Sequence, residues 1–480
     1  MEKKSPLAAV SIGVEYTQNA VIRSLQHNGW IVNGSSSSTD SSAATSGATS
    51  VALHWSDFSA IPWDAVLDGS TTASAQYLKT GLVRKADLLH YMTKHGVAHW
   101  LPTTISADIE DEEDIDELIA KWSKACDIDA SKREAGADAE RPLWLLKPSR
   151  ANRGEGIAVL RSGDESAARS AIARFPRFRD WLLQRYVVPL LLPPSPSVLP
   201  MATLRPELRS AACGGDGSGL KCHLRLHVLA VGSLSVWVHD APLVLLASQP
   251  WSNPAHSVIS PDGDGDEVDL LAHLTNRCRQ ARGESYDERA HTRRFREAFG
   301  PPLADRLLEQ CKSIAAAAFK PFERGSAAFL PLPHCFELYG FDIAIDAEGS
   351  CLLLEVNSGP DLSLHGSRLE ADADALLRDV LSVVANQLYQ SEPVRGAAAA
   401  LKVREDGDAV SPSCAGGFTC VLSQPCADPR AQLDRFKRSL ATVGKFAHSM
   451  HESAGAPVRG MQGVAMRAAA GSQQHGATAM

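Results

Sequence analysis

Asp342, Glu355 and Asn357 carry hard oxygen donors, and their spacing brings them together if the chain from Phe336 to Asp361 folds back on itself. That stretch reads FELYGFDIAIDAEGSCLLLEVNSGPD. Two apolar runs flank Asp346-Ala347-Glu348-Gly349-Ser350, and a short polar break with a glycine between β-formers marks an antiparallel pair. Folded about its middle, the hairpin sets Asp342 opposite Glu355, and residues that are opposed or two apart share a face. Asp342, Glu355 and Asn357 then project together, while Phe341, Ile343, Ile345, Leu352, Leu354 and Val356 cover the other side. Two carboxylates and an amide in one place repel unless a cation sits between them. Mg²⁺ suits the set, because it takes one or two carboxylates and completes its shell with water and phosphate oxygens, so the residues point to a metal that also holds a nucleotide. An ordinary amphipathic hairpin with solvated acids would show the same pattern.

Other stretches could supply the charge that phosphates need. Arg141 to Leu160, RPLWLLKPSRANRGEGIAVL, predicts a strand that delivers Lys147, a loop with Arg153, Gly154 and Gly156, and a second strand. Strand, loop, strand can lay backbone N–H groups over phosphates, with the glycines allowing close approach and Lys147 and Arg153 adding charge. A plain hairpin turn would read the same way, and a Walker loop is excluded because it leads into a helix and ends in Lys-Ser or Lys-Thr. Lys221 to Leu229, KCHLRLHVL, alternates, so Lys221, His223, Arg225 and His227 share one strand face, which fits a phosphate-lined cleft. For His223 alone, a satisfied structural histidine is the other reading. Asp180 to Leu192 predicts a buried strand interrupted at Pro189, whose end could offer backbone N–H and C=O to a purine edge or simply turn in the core. His273, Thr275 and Asn276 fall near the end of an apolar segment. Lys85 falls on a predicted helix, Gln76 to His95, where a solvated helix lysine is the alternative.

The elements that must hold these residues are of both kinds. Leu7 to Val14, Gln18 to His27 and Trp30 to Val32 predict strand, helix, strand, the opening of a βαβ unit. Helices follow at Asp305 to Phe319 and Asp374 to Gln390. The reading is of an α/β (α+β) chain divided into an N-terminal α/β domain over 1–100, a central domain over 101–192 and a further domain over 220–390. Residues 33–50 and 193–219 are expected to be disordered insertions, and 391–480 a low-complexity, mostly disordered tail with one short helix between Arg430 and Phe446.

A chain of 480 residues with 44% hydrophobic content can bury a large core in two or three domains. The net charge of −8 gives no electrostatic case for nucleic acid as the main partner. Ten cysteines without a CxxC pair, Cys414, Cys420 and Cys426 included, read as reduced thiols and not as a metal site. No apolar run reaches the roughly 18 residues of a membrane span, so a soluble intracellular protein without membrane association is expected.

Taken in order, WLLKPSRANRGEGI, LLQRYVVPLLL, KCHLRLHVLAVGSL, AHLTNRCRQ and CFELYGFDIAIDAEGSCLLLEVNSGPDL closely resemble the tubulin-tyrosine ligase family, over about Lys79 to Leu388 apart from Pro193 to Gly219. The resemblance implies an ATP-grasp fold with ATP between two mixed or antiparallel sheets. It implies Lys147, Arg153, Gly154, Gly156 and Lys221 near the phosphates, Gln184, Arg185, Tyr186 and Val187 at the adenine, Thr275 and Asn276 at the nucleotide, and a nucleotide role for Lys85. It further implies Asp342, Glu355 and Asn357 as Mg²⁺ ligands and Arg225 at the acyl-transfer centre, with Lys147 beside it. Where most members read Lys-x-Asp-x-Arg this chain has His223, able to donate to a phosphate, and where many carry an arginine after the following strand it has Leu245. That combination resembles a divergent fungal and protist branch described as tyrosine ligases. The implied activity is ATP- and Mg²⁺-dependent amide formation through an acyl phosphate, with the C-terminal tail of α-tubulin and free tyrosine as partners, in the cytoplasm and on microtubules. A tubulin polyglutamylase or glycylase, and an inactive nucleotide- or tubulin-binding scaffold, are the alternatives.

Overall fold

The computed structural model describes residues 5–34, 51–131, 142–151, 154–194, 219–252, 258–259, 267–281, 283, 286–287, 291–388 and 414–423. Strands β1 (Leu7–Ser11), β2 (Ile31–Gly34), β3 (Val51–Ser56) and β4 (Thr72–Ala73) form a sheet in the order β2-β1-β3-β4. All its pairings are parallel, as the βαβ reading requires, and the helix Glu15–His27 makes the first crossover. Residues 35–50, most of the first expected insertion, lie outside the described residues.

The second sheet uses β5 (Thr104–Asp108), β6 (Leu143–Pro148), β7 (Ala158–Arg161) and β8 (Asp180–Arg185). Along β6, Trp144 and Leu146 face a core built with Leu118 and Trp122 of the helix Glu112–Ser131 and with Ile172 of the helix Glu165–Ala173. Leu143, Leu145 and Lys147 therefore face the other way. The helices Glu112–Ser131 and Glu165–Ala173 cover one side of this sheet, and on the other Leu143 and Val159 pack with Leu270 of the helix Glu267–His273 while Lys147 reaches the cleft.

The third sheet is organised around a long strand. After β9 (Leu191–Leu192), β10 (Leu220–Val231) pairs with β11 (Ser235–His239) and β12 (Leu243–Pro250) at its two ends along one edge. The short β13 (Val258–Ile259) returns to β7 in the second sheet, and β14 (Thr292–Arg294) extends β12. Hairpin strands β15 (Phe336–Ile345) and β16 (Cys351–Ser358) lie along the other edge of β10. Leu224, Leu226 and Val228 of β10 pack with Leu303, Leu307, Cys311 and Ile314 of the helix Pro301–Phe319. On the opposite face Leu229 and Val231 pack with Leu377, Val380 and Val384 of the helix Glu370–Leu388. That core cluster reaches only the C-terminal end of β10, and the Lys221 to Arg225 part of the same face borders the cleft.

Within the stretch expected to be a mostly disordered tail, β17 (Cys414–Ala415) and β18 (Phe418–Ser423) form a hairpin, and β18 adds to the edge of β11. Phe418 is buried against His239, their ring centroids 4.9 Å apart, and the Gly417 N–H donates to Asp379 at 3.0 Å. Low-complexity composition on either side hid a strand whose partner edge lies about 180 residues earlier. The expected helix at Arg430 to Phe446 and the Pro193 to Gly219 insertion fall outside the described residues, save Pro193, Pro194 and Gly219.

Candidate active site

The hairpin folds as its pattern predicts, with Asp342 paired to Glu355, Phe341 to Val356 and Gly340 to Asn357. On the turn side the register slips, and Ile343 pairs with Leu353, Ala344 with Leu352 and Ile345 with Cys351. Leu354 is thereby left as the extra residue of a β-bulge, and the alternation of β16 changes phase. This corrects the sequence reading of the apolar face. Cys351 and Leu353 enter the core with Phe341, Ile343, Ile345 and Val356, whereas Leu354 turns into the cleft. Leu352, half-buried, is likewise not part of that core cluster.

The acids and their partners form one charge network. Arg225 Nε donates to Asp342 Oδ1 at 2.6 Å and Arg225 Nη2 to Asp342 Oδ2 at 3.0 Å, a bidentate clamp. Lys85 Nζ lies 2.9 Å from Glu355 Oε2. Asn357 Nδ2 reaches Asp342 Oδ2 at 3.3 Å and Glu355 Oε1 at 3.4 Å, so the three side chains do converge. Burial pushes Asp342 up to about 6, with Arg225 opposing and Glu355 reinforcing the rise. Burial would raise Glu355 too, but the Lys85 and Lys147 charges outweigh it and hold that carboxyl well below its usual range. Two carboxylates and an amide in one buried place fit Mg²⁺, which takes few protein ligands and keeps positions for phosphate and water. Among the described residues no group of three or more His, Cys, Asp and Glu side chains is arranged to hold a metal ion.

Facing this hairpin is a cavity lined by Lys85, Lys147, Gly154, Gln184, Lys221, His223, Thr275, Asn276, Asp342 and Glu355, which unites most of the residues singled out from the sequence. Leu145, Ile157, Leu274 and Leu354 give it apolar walls. Lys147 Nζ donates to Gln184 Oε1 at 2.8 Å, and Lys221 Nζ to the Tyr186 hydroxyl at 3.0 Å. Burial and the Lys85 charge lower Lys147 to about 8, while burial, with Lys147 adding to it, lowers Lys221 to about 7. Two buried lysines, each depressed partly by a neighbouring cation, are what a polyanion would relieve. His223 is lowered to about 3 by burial and by Arg225, so its ring is neutral, with Nδ1 2.5 Å from the Thr275 hydroxyl and Nε2 3.7 Å from Asp342.

The loop between β6 and β7 turns at Gly154 and Gly156. Gly156 has φ +69°, and a Cβ there would meet Pro148 Cγ at 2.8 Å, so only glycine closes this turn without displacement. Arg153 lies outside the described residues. Of the backbone N–H and C=O groups that the end of β8 was expected to offer a purine, the N–H groups of Arg185 and Tyr186 are taken within the protein. Their N–H groups bond Thr103 O at 2.7 Å and Leu143 O at 2.9 Å, because the neighbouring strands claim them. Tyr186 instead serves as a buried hub, its hydroxyl joined to Lys221, to His273 Nδ1 at 3.0 Å and to the Trp251 indole at 3.1 Å. Val187 is half-buried beside it.

Gly340 was missed in the sequence reading. A Cβ on it would stand 2.9 Å from Arg225 Cδ, so the bare backbone of β15 makes room for the arginine that grips Asp342. A glycine inside a strand marks such a close approach and could have revealed it. Glu337 was also missed. It is buried, and it accepts from the Gln76 N–H at 2.9 Å, from Lys79 at 2.5 Å and from the Tyr339 hydroxyl at 2.8 Å. It thereby ties the segment leading to Lys85 onto the strand that carries Asp342.

Two facing sheets with buried lysines, a glycine loop and a carboxylate-bearing hairpin between them define an ATP-grasp fold. The C-terminal domain of K. lactis Pby1, described as an ATP-grasp enzyme interacting with the mRNA decapping enzyme Dcp2, shares this fold at a TM-score of 0.56 and 20% identity, covering 88% of this chain and 100% of that domain. The profile of the tubulin-tyrosine ligase family matches residues 100–392, more than half of the chain, and the chain belongs to that family. A probable tubulin–tyrosine ligase of Schizosaccharomyces pombe is 24% identical over 435 residues, covering 82% of this chain and 94% of that protein. Another from Saccharomyces cerevisiae is 24% identical over 382 residues, with 70% of this chain but 46% of that protein covered.

Proposed function

We propose that the protein is an ATP- and Mg²⁺-dependent ligase that forms an amide bond through an acyl phosphate, adding tyrosine to the C-terminal glutamate of α-tubulin. The observation that carries this reading is the convergence of Lys147 and Lys221 with Arg225, Asp342, Glu355 and Asn357 around adjoining cavities. Asp342, Glu355 and Asn357 would hold the metal, which when bound would neutralise phosphate oxygens and polarise the transferred phosphoryl group. Lys147 and Lys221 supply fixed positive charge to the phosphates inside a desolvated cleft, where it is worth more than in water. Leu145, Ile157, Leu274 and Leu354 provide an apolar bed for the purine.

The acceptor carboxylate attacks the γ-phosphorus and ADP leaves. The amino group of the free amino acid then attacks the acyl carbon, phosphate leaves, and the nitrogen gives up a proton. Arg225, held by Asp342 and lining the cavity that also holds Asn357, would stabilise the oxyanion that develops at that carbon. No enzyme nucleophile is required. His223 fills its place as a neutral ring, able to donate from Nε2 to a phosphate.

A second reading, a nucleotide-binding protein without ligase activity, is favoured by the neutral His223 and by Leu245. A protein acceptor other than tubulin is a further alternative, because the K. lactis neighbour is described as interacting with a decapping enzyme. Incorporation of labelled tyrosine, glutamate or glycine into detyrosinated tubulin with Mg-ATP tests these readings, using Glu355→Gln as the blank. Label from tyrosine that falls by roughly 100-fold or more in the variant supports the proposal. Bound nucleotide with no amino acid transferred would sink it in favour of the inactive or other-acceptor readings.

A further inference from the structure

The sheet face that carries His223 and Arg225 does not stay polar across its width. On β12, Leu245 pairs directly with His223 and Leu243 with Arg225, so the two leucines project on the same side as their partners. Leu243 and Leu245 are buried with Leu369, and Leu364 packs against them. Leu245 and Leu364 also line the cavity of about 560 Å³ that holds Arg225, Asp342 and Asp361. An apolar wall thus stands beside the acyl-transfer centre, in a cavity large enough for more than the nucleotide phosphates.

Resting on the ligase reading, we infer that this wall receives the side chain of the incoming amino acid, and that Leu245 with Leu364 selects an apolar or aromatic side chain over an acidic one. A carboxylate set against these leucines loses its water and gains no donor from them. Of the cations that share the cavity, Arg150 pairs with Asp180 at 2.6 Å and Arg277 donates to the Ser363 carbonyl, Arg225 and Lys85 hold the carboxylates of Asp342 and Glu355, and Arg84 stands exposed away from the leucine wall's own strand. An aromatic ring buries its faces on leucine without such a loss. The Asp361 carboxylate, in the same cavity, offers an anion to the α-ammonium before the nitrogen is deprotonated for attack.

The test is calorimetric titration of tyrosine, phenylalanine and glutamate into the full chain saturated with Mg²⁺ and a non-hydrolysable ATP analogue. The nucleotide affinity of each variant is measured alongside as a check on folding. Tyrosine and phenylalanine are expected to bind, and glutamate to bind at least about tenfold more weakly. Leu245→Arg should weaken tyrosine and strengthen glutamate. Leu364→Ala, at a half-buried position on a short 3-10 turn, should weaken both aromatic ligands and covers the case in which the arginine variant does not fold. Equal or tighter glutamate binding in the natural chain overturns the inference while leaving the ligase reading in place. So does nucleotide binding with no amino acid bound, or tyrosine affinity indifferent to both leucines. Failure of the ATP analogue itself to bind would instead overturn the ligase reading and this inference with it.

Discussion

Lys147 and Lys221, the two buried lysines of the cleft, set the most direct residue-scale expectation. With Lys221 at about 7 and Lys147 at about 8, both are partly neutral at pH 8 in the free protein. An anionic nucleotide favours their charged forms, raises both values and draws protons from solution, on the order of one proton per nucleotide bound at pH 8. Titration of Mg-ATP analogue in buffers of different ionisation enthalpy reads this number directly, and net proton release would contradict the assignment. The same lysines bear on stability. Their native values lie below the unfolded value near 10.4, so the unfolded chain binds more protons between about pH 7 and 10, and their contribution to stability falls as pH drops through that window. Asp342, Glu355 and Asn357 were legible from sequence because strand alternation alone places them together. The clamp of Arg225 on Asp342 was not, because nothing local connects two residues on strands 117 positions apart.

The β6–β7 loop and the β15–β16 hairpin show what an element adds to its residues. Gly156→Ala would force a side chain into φ +69° and against Pro148. Denaturant titration should show a loss of about 1–3 kcal/mol, with weaker nucleotide binding as the loop shifts. An unchanged midpoint would mean that this turn is not held as described. In the hairpin, the pairing at Asp342 was legible, while the bulge at Leu354 was not. An inserted residue leaves the apolar composition of a strand intact and changes only its phase, so Leu352 and Leu354 read as core although Cys351 and Leu353 occupy it. The phase change turns Leu354 into the cleft. The predicted helix Gln76 to His95 is broken at Arg84 into Thr80–Val83 and Lys85–Lys94, which sets Lys85 at the start of the second piece.

At the scale of the whole molecule, distant segments complete the sheet that carries the site. β18 covers the edge of β11, and Phe418 joins the core with Phe336, Trp237 and Leu377. Phe418→Ala should therefore cost about 3–5 kcal/mol in denaturant unfolding, against nearly nothing if the tail were idle. Alternating strands and helices made the α/β class legible, and the resemblance of five ordered motifs made the family so. The docking of the tail was not, since its strand is short and its surroundings low in complexity. None of the described helices is long and apolar enough to cross a membrane. The central claim is that an acceptor carboxylate is activated by phosphoryl transfer in this cleft, and it is tested most directly by following oxygen. Detyrosinated tubulin, or its tail peptide, carrying ¹⁸O in the terminal carboxylate is incubated with the protein, Mg-ATP and tyrosine, and the released phosphate is weighed by mass spectrometry. One ¹⁸O per phosphate, appearing together with the tyrosinated product, is the predicted result. Phosphate free of the label would mean that water and not the carboxylate attacks ATP, and the ligase account would fall.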